Sequence, residues 1–153
     1  MRTMLTSLLT ICLIIVLLAC SPLPKEKFWE TKAKAETGNT VAQYNLGSMY
    51  WSGEGVLIDH KQAVKWYRKA AEQGNANAQY NLGGMYEVGH GVPEDLVTAY
   101  AWAKIAQANG NKGAQKFKSL LEKKMTPEQI AKAEELFKEM IEKNPKLISK
   151  QQN

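Results

Sequence analysis

The residues of this chain that could do chemistry are few and scattered. Its two histidines, His60 and His90, occupy different positions in two otherwise similar segments. They therefore give no repeated metal ligand, and we expect both to be solvent-exposed loop residues. Two Gly-x-Gly loops could suggest phosphate binding, but Ile58 and Glu94 stand where a Gly-x-Gly-x-x-Gly motif needs its third glycine. The sequence predicts no metal and no cofactor.

A covalent nucleophile is equally hard to find. None of the serines is followed by lysine at the third position, the spacing found in enzymes that act on β-lactams. The carboxylates are scattered and give no obvious pair for acid and base catalysis. We therefore predict no catalytic residue and no enzymatic activity. The competing hypothesis is an envelope hydrolase that acts on cell-wall or β-lactam substrates.

The first twenty residues predict export. Arg2 precedes an apolar stretch, Leu8–Ala19, which is shorter than the about 20 apolar residues that a membrane-spanning helix needs. A basic start, an apolar segment and a small residue before the break are typical of a signal peptide, here residues 1–19. The four letters "LLAC" at its end resemble the lipobox of bacterial lipoproteins, in which the cysteine is lipidated and becomes the first residue.

Cys20 is therefore the predicted lipidation site, because Cys12 would be removed with the signal peptide. Each buried CH₂ of an acyl chain contributes about 0.8 kcal/mol, so several acyl chains would hold a soluble domain firmly to a bilayer. Ser21, in place of an acidic residue, implies by resemblance an outer-membrane anchor that faces the periplasm. The alternatives are a secreted or soluble periplasmic protein, and an exported effector that acts on a host and carries no acyl chain.

The charge pattern argues against nucleic acid as a partner. The chain has 20 Lys and Arg against 15 Asp and Glu, and the excess lies from Lys112 onward, where ten lysines face six acids. A nucleic-acid site would interleave arginines with aromatic residues, whereas Phe117 and Phe137 fit a core. We expect a solvated helix face there, with attraction to anionic lipid as the lesser alternative.

The elements that position these residues come from an internal repeat. Gly38–Val56 and Gly74–Val92 read almost alike, 36 positions apart, and Ala35–Ala70 matches Ala71–Ala106 at half of its positions without a gap. In each unit the apolar residues recur at helical spacing, which predicts two helices. In the first unit these stripes are Ala42, Leu46, Met49 and Tyr50, then Ala63, Trp66, Tyr67 and Ala70.

Between the two helices of each unit lies a loop with two glycines, which can adopt positive φ and reverse the chain. Asp59 and Asp95 follow this loop and are predicted to cap the second helix. Gly47 and Gly83 fall inside the first helix, where glycine costs up to about 1 kcal/mol relative to alanine. We expect them to allow close helix packing, with Trp66 or Trp102 filling the adjacent volume.

The repeated pattern is similar to that of the Sel1-like repeats, relatives of the tetratricopeptide repeats. The matching residues of the first copy are Ala35, Gly38, Ala42, Gln43, Leu46, Gly47, Met49, Tyr50, Gly53, Gly55, Val56, Asp59, Ala63 and Trp66, and the second copy repeats them 36 positions later. The resemblance implies an all-α fold, a right-handed α/α solenoid of antiparallel helix pairs.

The units are predicted at residues 35–70 and 71–106, and both ends differ from them. Residues 20–34 hold the lipidated N-terminus, a linker and the start of an N-terminal helix. Residues 107–143 form a degenerate repeat and a capping helix, which opens at Thr126 with Pro127 in its first turn and Gln129 three positions after the cap. Arrays of repeats need such atypical ends. Residues 144–153 are predicted to be a flexible tail.

In the tetratricopeptide fold the first helix of each unit lines the concave wall, so the resemblance places a binding surface there. Tyr44 and Tyr80, one repeat apart and beside Trp51, could hold a peptide through apolar contact and hydroxyl hydrogen bonds. The equal alternative is that both tyrosines only pack between repeats. We expect a protein or peptide ligand, modest affinity and weak self-association. The predicted binding residues are Tyr44, Ser48, Trp51, Tyr80, Gly84 and Glu87.

Overall fold

The computed structural model describes residues 24–148, and within them all regular structure is helical. The predicted signal peptide and the lipidation of Cys20 lie outside the described residues. The all-α prediction is confirmed. The helices are α1 (Pro24–Glu36), α2 (Thr40–Ser52), α3 (His60–Glu72), α4 (Ala76–Val88), α5 (Leu96–Ala108), α6 (Ala114–Glu122) and α7 (Pro127–Lys143), followed by a 3₁₀ helix, Pro145–Leu147.

Helix starts follow the predicted capping chemistry. The Asp59 carboxylate accepts a hydrogen bond from the Gln62 backbone N–H at 3.0 Å, and Asp95 caps α5 in the same way. At α7, the Thr126 hydroxyl accepts from the Gln129 N–H while the Gln129 side chain accepts from the Thr126 N–H, a complete capping box. Short polar side chains therefore determine where these helices begin.

The first helix of each pair ends at a glycine in the left-handed region, Gly53 with φ of 78° and Gly89 with φ of 71°. A side chain at this φ would clash with its own backbone, so glycine is the residue that ends the helix without strain. The chain then reverses, and α2 packs against α3 as α4 packs against α5.

Close helix packing at Gly47 and Gly83 is confirmed. Trp102 lies beside Gly83 as predicted, with its Cβ 3.5 Å from the position of a Cβ on that glycine, but the neighbour of Gly47 differs from the prediction. A Cβ on Gly47 would lie 2.7 Å from the Tyr67 ring, and one on Gly83 would lie 3.1 Å from the Phe117 ring. Trp66 does not fill the volume at Gly47. Successive residues on a helix point about 100° apart, so Tyr67 faces Gly47 while Trp66 packs into the cluster of α1 and α2.

The buried residues of the described chain form three hydrophobic clusters, and the half-buried Tyr50 and Tyr86 each pack against two of them. Trp66, Trp102, Met49 and Met85 are all buried, as predicted. Two buried glutamines join helices that follow one another, because the side-chain amide of Gln43 on α2 donates to the Ala35 carbonyl of α1 and that of Gln79 on α4 donates to the Ala71 carbonyl of α3. Buried polar groups are almost always paired in this way.

The C-terminal helix α7 runs along α5 in the same direction. Its first half meets Tyr100 through Glu134, and the residues after it reach Asn109 through the Leu147 carbonyl. The predicted flexible tail is wrong for residues 144–148, because Leu147 is buried and its carbonyl accepts hydrogen bonds from Gln79 and Asn109. These two amides hold the segment in place, and residues 149–153 lie outside the described part of the chain.

Candidate peptide-binding groove

A groove of about 360 Å³ opens between the two helix pairs. Helices α2 and α4 supply its sides, α3 supplies one residue of its floor, and the loop after α4 closes one end. Two of the residues predicted for the concave binding surface, Trp51 and Gly84, line it. Its lining residues are Trp51, Tyr67, Asn81, Gly84, Met85, Val88 and His90.

The floor of the groove is apolar with one polar edge. Tyr67 and Met85 are buried, and the Tyr67 hydroxyl lies 3.1 Å from the Ser48 hydroxyl. Burial raises the pKa of Tyr67, so this phenol stays protonated and can donate or accept a hydrogen bond. Asn81 lines the groove beside Tyr67. A small polar group therefore sits beside an apolar surface, which is how ligand sites orient a bound chain.

The rim carries exposed apolar side chains. The Trp51 side chain is 39% exposed and Val88 is 52% exposed, on opposite sides of the opening. A partly buried indole offers a large contact area to a ligand, and little conformational entropy is lost when the ligand binds. These two residues would be the first to meet an incoming apolar side chain.

Gly84 explains why the groove is empty. A Cβ on Gly84 would meet nothing within 4 Å, in contrast to Gly47 and Gly83, where packing leaves no room for one. Ser48 occupies the same position in the first unit and fills its space by contacting Tyr67. The second unit thus lacks a side chain where the first has one, and the missing side chain leaves the space open.

The structure brings only part of the predicted site together. Trp51 and Gly84 line the groove, and Ser48 touches it through Tyr67. Tyr44 and Tyr80 are half-buried and pack between helices: the Tyr44 ring lies 5.8 Å from Tyr67 and the Tyr80 ring lies 5.4 Å from Phe117. Their geometry matches the packing alternative. Glu87 points elsewhere, in an ion pair with Lys124 at 2.6 Å.

The prediction of solvent-exposed loop residues is confirmed for His90 and wrong for His60, which begins α3. His60 and His90 stack in parallel with ring centres 5.0 Å apart, and Trp51 lies 4.7 Å from His60 and 5.4 Å from His90. His90 is exposed, but His60 is half-buried and its Nδ1 is fully enclosed. The loops of consecutive repeats meet here, since a Cβ on Gly91 would lie 2.4 Å from the His60 carbonyl oxygen.

The sequence also missed Asn81, Val88 and the role of Tyr67 as groove floor. Tyr67 was expected in the core because it shares the helical stripe of Trp66. The positions of Asn81 and Val88 in the sequence could have indicated them, because each lies about one helical turn from Gly84, which was predicted to line the surface.

The densest cluster of titratable groups lies at the other end of the molecule. The Tyr100 hydroxyl donates to Glu134 at 3.0 Å and to Glu122 at 3.2 Å, and Lys104 and Lys118 pair with these two carboxylates. Hydrogen bonds from Lys104 and Lys118 hold the pKa of Glu134 and of Glu122, respectively, below the usual value. Both carboxylates are therefore ionised at neutral pH, so neither offers the proton that a general acid must supply.

Within residues 24–148 no group of three or more potential ligands is placed to hold a metal ion. No helix in that same range has the length and apolar character needed to cross a membrane.

The comparisons with known proteins agree with this geometry. Residues 40–75 and 76–111 each match the family model described as Sel1 repeat. The chain contains two Sel1 repeats. The matched segments keep the 36-residue period of the predicted units and begin five positions later, at the first residues of α2 and α4. The comparison with curated proteins finds no match.

Two solved structures resemble the chain over long stretches. A protective antigen present in uropathogenic Escherichia coli strains, described as displaying an SLR fold, is 36% identical, with a TM-score of 0.78 over 87% of this chain. A Sel1 repeat protein from Oxalobacter formigenes is 41% identical, with a TM-score of 0.60 over 62% of this chain. The chain spans 29% of the length of each of these proteins. The predicted solenoid of helix pairs is thereby confirmed, and this fold is typically a protein–protein interaction scaffold.

Proposed function

We propose that this chain is a non-enzymatic scaffold of the bacterial envelope that binds a peptide segment of a partner protein in the groove around Gly84. The Sel1 repeats support the general role, and the groove supplies a place for it. The bound segment inserts one large apolar side chain between Trp51 and Val88. Its backbone hydrogen-bonds to the polar edge formed by Tyr67 and Asn81.

The single observation that carries this proposal is the open space at Gly84. A glycine inside a helix costs up to about 1 kcal/mol relative to alanine. Gly47 and Gly83 offset that cost through close packing, whereas Gly84 touches nothing that a Cβ would displace. A residue that lowers helix stability without improving the packing is typical of a position that contacts a ligand. The volume of about 360 Å³ is at the lower end of ligand pockets, which suits a single side chain.

Two substitutions at Gly84 test the proposal on the full chain. Peptides are first selected from a random display library against the wild-type chain, then titrated against the Gly84→Phe and Gly84→Ala variants by fluorescence anisotropy. The phenyl group of Gly84→Phe fills the groove, so we expect affinity to fall by about tenfold or more, the loss typical of a blocked central contact. Gly84→Ala adds one methyl group and should bind within a factor of about three of wild type.

The selected peptides also report on the rest of the groove. Trp51→Ala should weaken them as strongly as Gly84→Phe does, while Trp29→Ala, at an exposed tryptophan remote from the groove, is the matched control. Equal binding by wild type and Gly84→Phe, with helicity preserved, would refute the groove as the binding site.

The proposed location is an outer-membrane lipid anchor at Cys20 that faces the periplasm. It is supported by the "LLAC" sequence and by Ser21 after the cysteine. Intact-mass spectrometry of the chain recovered from bacterial membranes tests this directly. We expect the mature chain to begin at Cys20 with added acyl mass, and Cys20→Ala to abolish both the added mass and membrane retention. A chain that starts elsewhere and carries no acyl group would refute the anchor.

A further inference from the structure

A second surface lies on the exposed side of α3. Four cations at helical spacing share this side, and we name Lys61, Lys65, Arg68 and Lys69 together the basic face. All four are exposed, and with Val64 and Val92 they line a shallow depression of about 410 Å³. Glu72, at the end of the helix, is the one acidic residue in the lining. Tyr67 turns the other way into the groove described above, so the two surfaces are distinct.

The basic face is arranged against the ordinary stabilising pattern of a helix. Lys61, Lys65 and Lys69 follow one another at i, i+4 and i+8, and like charges at this spacing destabilise a helix. Four lysines elsewhere in the described chain pair with a glutamate four positions away, among them Lys32 with Glu36 and Lys118 with Glu122. None of the four residues of the basic face takes part in an ion pair among the described residues.

Local contacts hold these side chains in place. The Lys69 ammonium lies 4.6 Å from the centre of the Trp66 ring, and the Lys65 ammonium lies 5.8 Å from it. The Arg68 guanidinium donates a hydrogen bond to the Tyr86 hydroxyl at 2.5 Å. Cations that are already oriented lose less conformational entropy when they bind an anion.

The second repeat shows what an occupied version of this face looks like. Lys104 of α5 is equivalent to Arg68, 36 positions earlier, and it pairs with Glu134 of α7. The residues equivalent to Lys61, Lys65 and Lys69 are Val97, Ala101 and Ile105, and α7 packs along the helix that carries them. In the second repeat Lys104 therefore pairs with a glutamate of α7, whereas in the first repeat the equivalent Arg68 forms no ion pair among the described residues.

We propose that the basic face binds an acidic amphipathic helix of a partner protein, which lies along α3 as α7 lies along α5. Glutamates of that helix pair with Arg68 and the three lysines, and its apolar residues rest on Val64 and Val92. Charge complementarity selects this partner and accelerates its association. An anionic membrane fits less well, because the apolar residues of the depression sit beneath the cations and none projects outward to enter a bilayer.

A designed peptide tests the proposal on the full chain, held in zwitterionic detergent. The probe is a fluorescein-labelled peptide of 20 residues that forms a helix with leucines flanked by glutamates on one face. Binding is followed by anisotropy at low and at high salt. The Lys65→Glu, Lys69→Glu double variant removes the central positive charge. The matched control is Lys116→Glu, Lys138→Glu, which makes the same charge change at exposed lysines on α6 and α7.

We expect the double variant at 65 and 69 to lose at least about tenfold in affinity, the control to change by less than about threefold, and added salt to weaken wild-type binding. Three results would overturn the proposal. The first is no binding of the probe by wild type. The second is equal binding of a scrambled peptide with the same composition. The third is charge-dependent binding to vesicles containing phosphatidylglycerol but not to the probe. The Gly84 variants should bind the probe normally, which separates this test from that of the groove.

Discussion

Three glycines on consecutive repeats allow a quantitative test of packing in this fold. Gly47, Gly83 and Gly84 all lie inside helices, so each glycine-to-alanine change gains up to about 1 kcal/mol of helix propensity. The changes differ only in what the new methyl group meets. At Gly47 it would lie 2.7 Å from one Tyr67 ring carbon and 2.9 Å from the next, well inside the 3.5–4.0 Å of an ordinary carbon contact.

Several contacts oppose a shift of the Tyr67 ring. It is buried, its hydroxyl is bonded to Ser48, and it packs against Tyr44 at 5.8 Å between ring centres. Overpacking of this kind costs about 1–3 kcal/mol. We therefore expect Gly47→Ala to range from neutral to about 2 kcal/mol less stable than wild type, and Gly84→Ala to be up to about 1 kcal/mol more stable.

The assay is urea unfolding followed by circular dichroism, with thermal unfolding as a second measure. Both variants gain the same helix propensity, so the difference between their free energies of unfolding gives the packing cost alone. We expect this difference to be about 1–3 kcal/mol, or roughly 3–10 °C in the midpoint of thermal unfolding. Equal stabilities for Gly47→Ala and Gly84→Ala would refute the assignment of Gly47 to a close contact and of Gly84 to open space.

Other predictions concern the polar contacts at the C-terminal end. Gln79→Leu should cost about 1–3 kcal/mol in urea unfolding, because it removes three hydrogen bonds, to the carbonyls of Ala71 and Leu147 and from the Asn109 amide, whereas Gln43→Leu removes two and should cost less. Leu147→Ala should cost about 2–4 kcal/mol if the segment is packed as described, and no cost would contradict its burial. The pKa of Glu134 is lowered in the folded chain by its hydrogen bond to Lys104, so its stabilising contribution is present above the ordinary value of 4.5 and is lost as the pH falls through the depressed folded value. Because Glu134 is about a third exposed, the free energy of unfolding of wild type should exceed that of Glu134→Gln by no more than about 1 kcal/mol at pH 7. Unfolding curves recorded over a pH series should show this difference disappearing at acidic pH.

The repeat made the helices predictable because it encodes them locally. Asp59 and Asp95 stand immediately before an apolar stripe, and Thr126 and Gln129 have the spacing of a capping box, so these helix starts depend on neighbouring residues alone. The close approach at Gly47 could be predicted because a glycine on an apolar helix face needs a packing reason. Which aromatic residue makes that approach could not, since it depends on the rotation of α3 against α2.

The missed features all arise from contacts distant in sequence. His60 and His90 stack because two loops from different repeats lie against each other, and no pattern within either loop indicates this. Leu147 is buried, and its carbonyl bonds to Gln79, 68 positions away, and to Asn109, although the residues around it show no helical periodicity. In the groove, side-chain directions decide which residues of the first helices reach the opening, and the repeat pattern does not give these directions.

The bonds from Gln79 and Asn109 to Leu147 have a consequence for engineering longer arrays. They tie the last unit to the segment that follows it. The bond from Gln73 to Gln43 repeats the bond from Asn109 to Gln79, but among the described residues Gln43 makes no bond that corresponds to the one from Gln79 to Leu147. An additional 36-residue repeat could therefore be inserted between Asn75 and Ala76, because both of its ends would then meet the same neighbours that a repeat meets in the present chain. The same repeat placed after Asn111 would separate α5 from its cover and expose Ile105 to water. Repeats can thus be added between the two existing repeats but not after the second one.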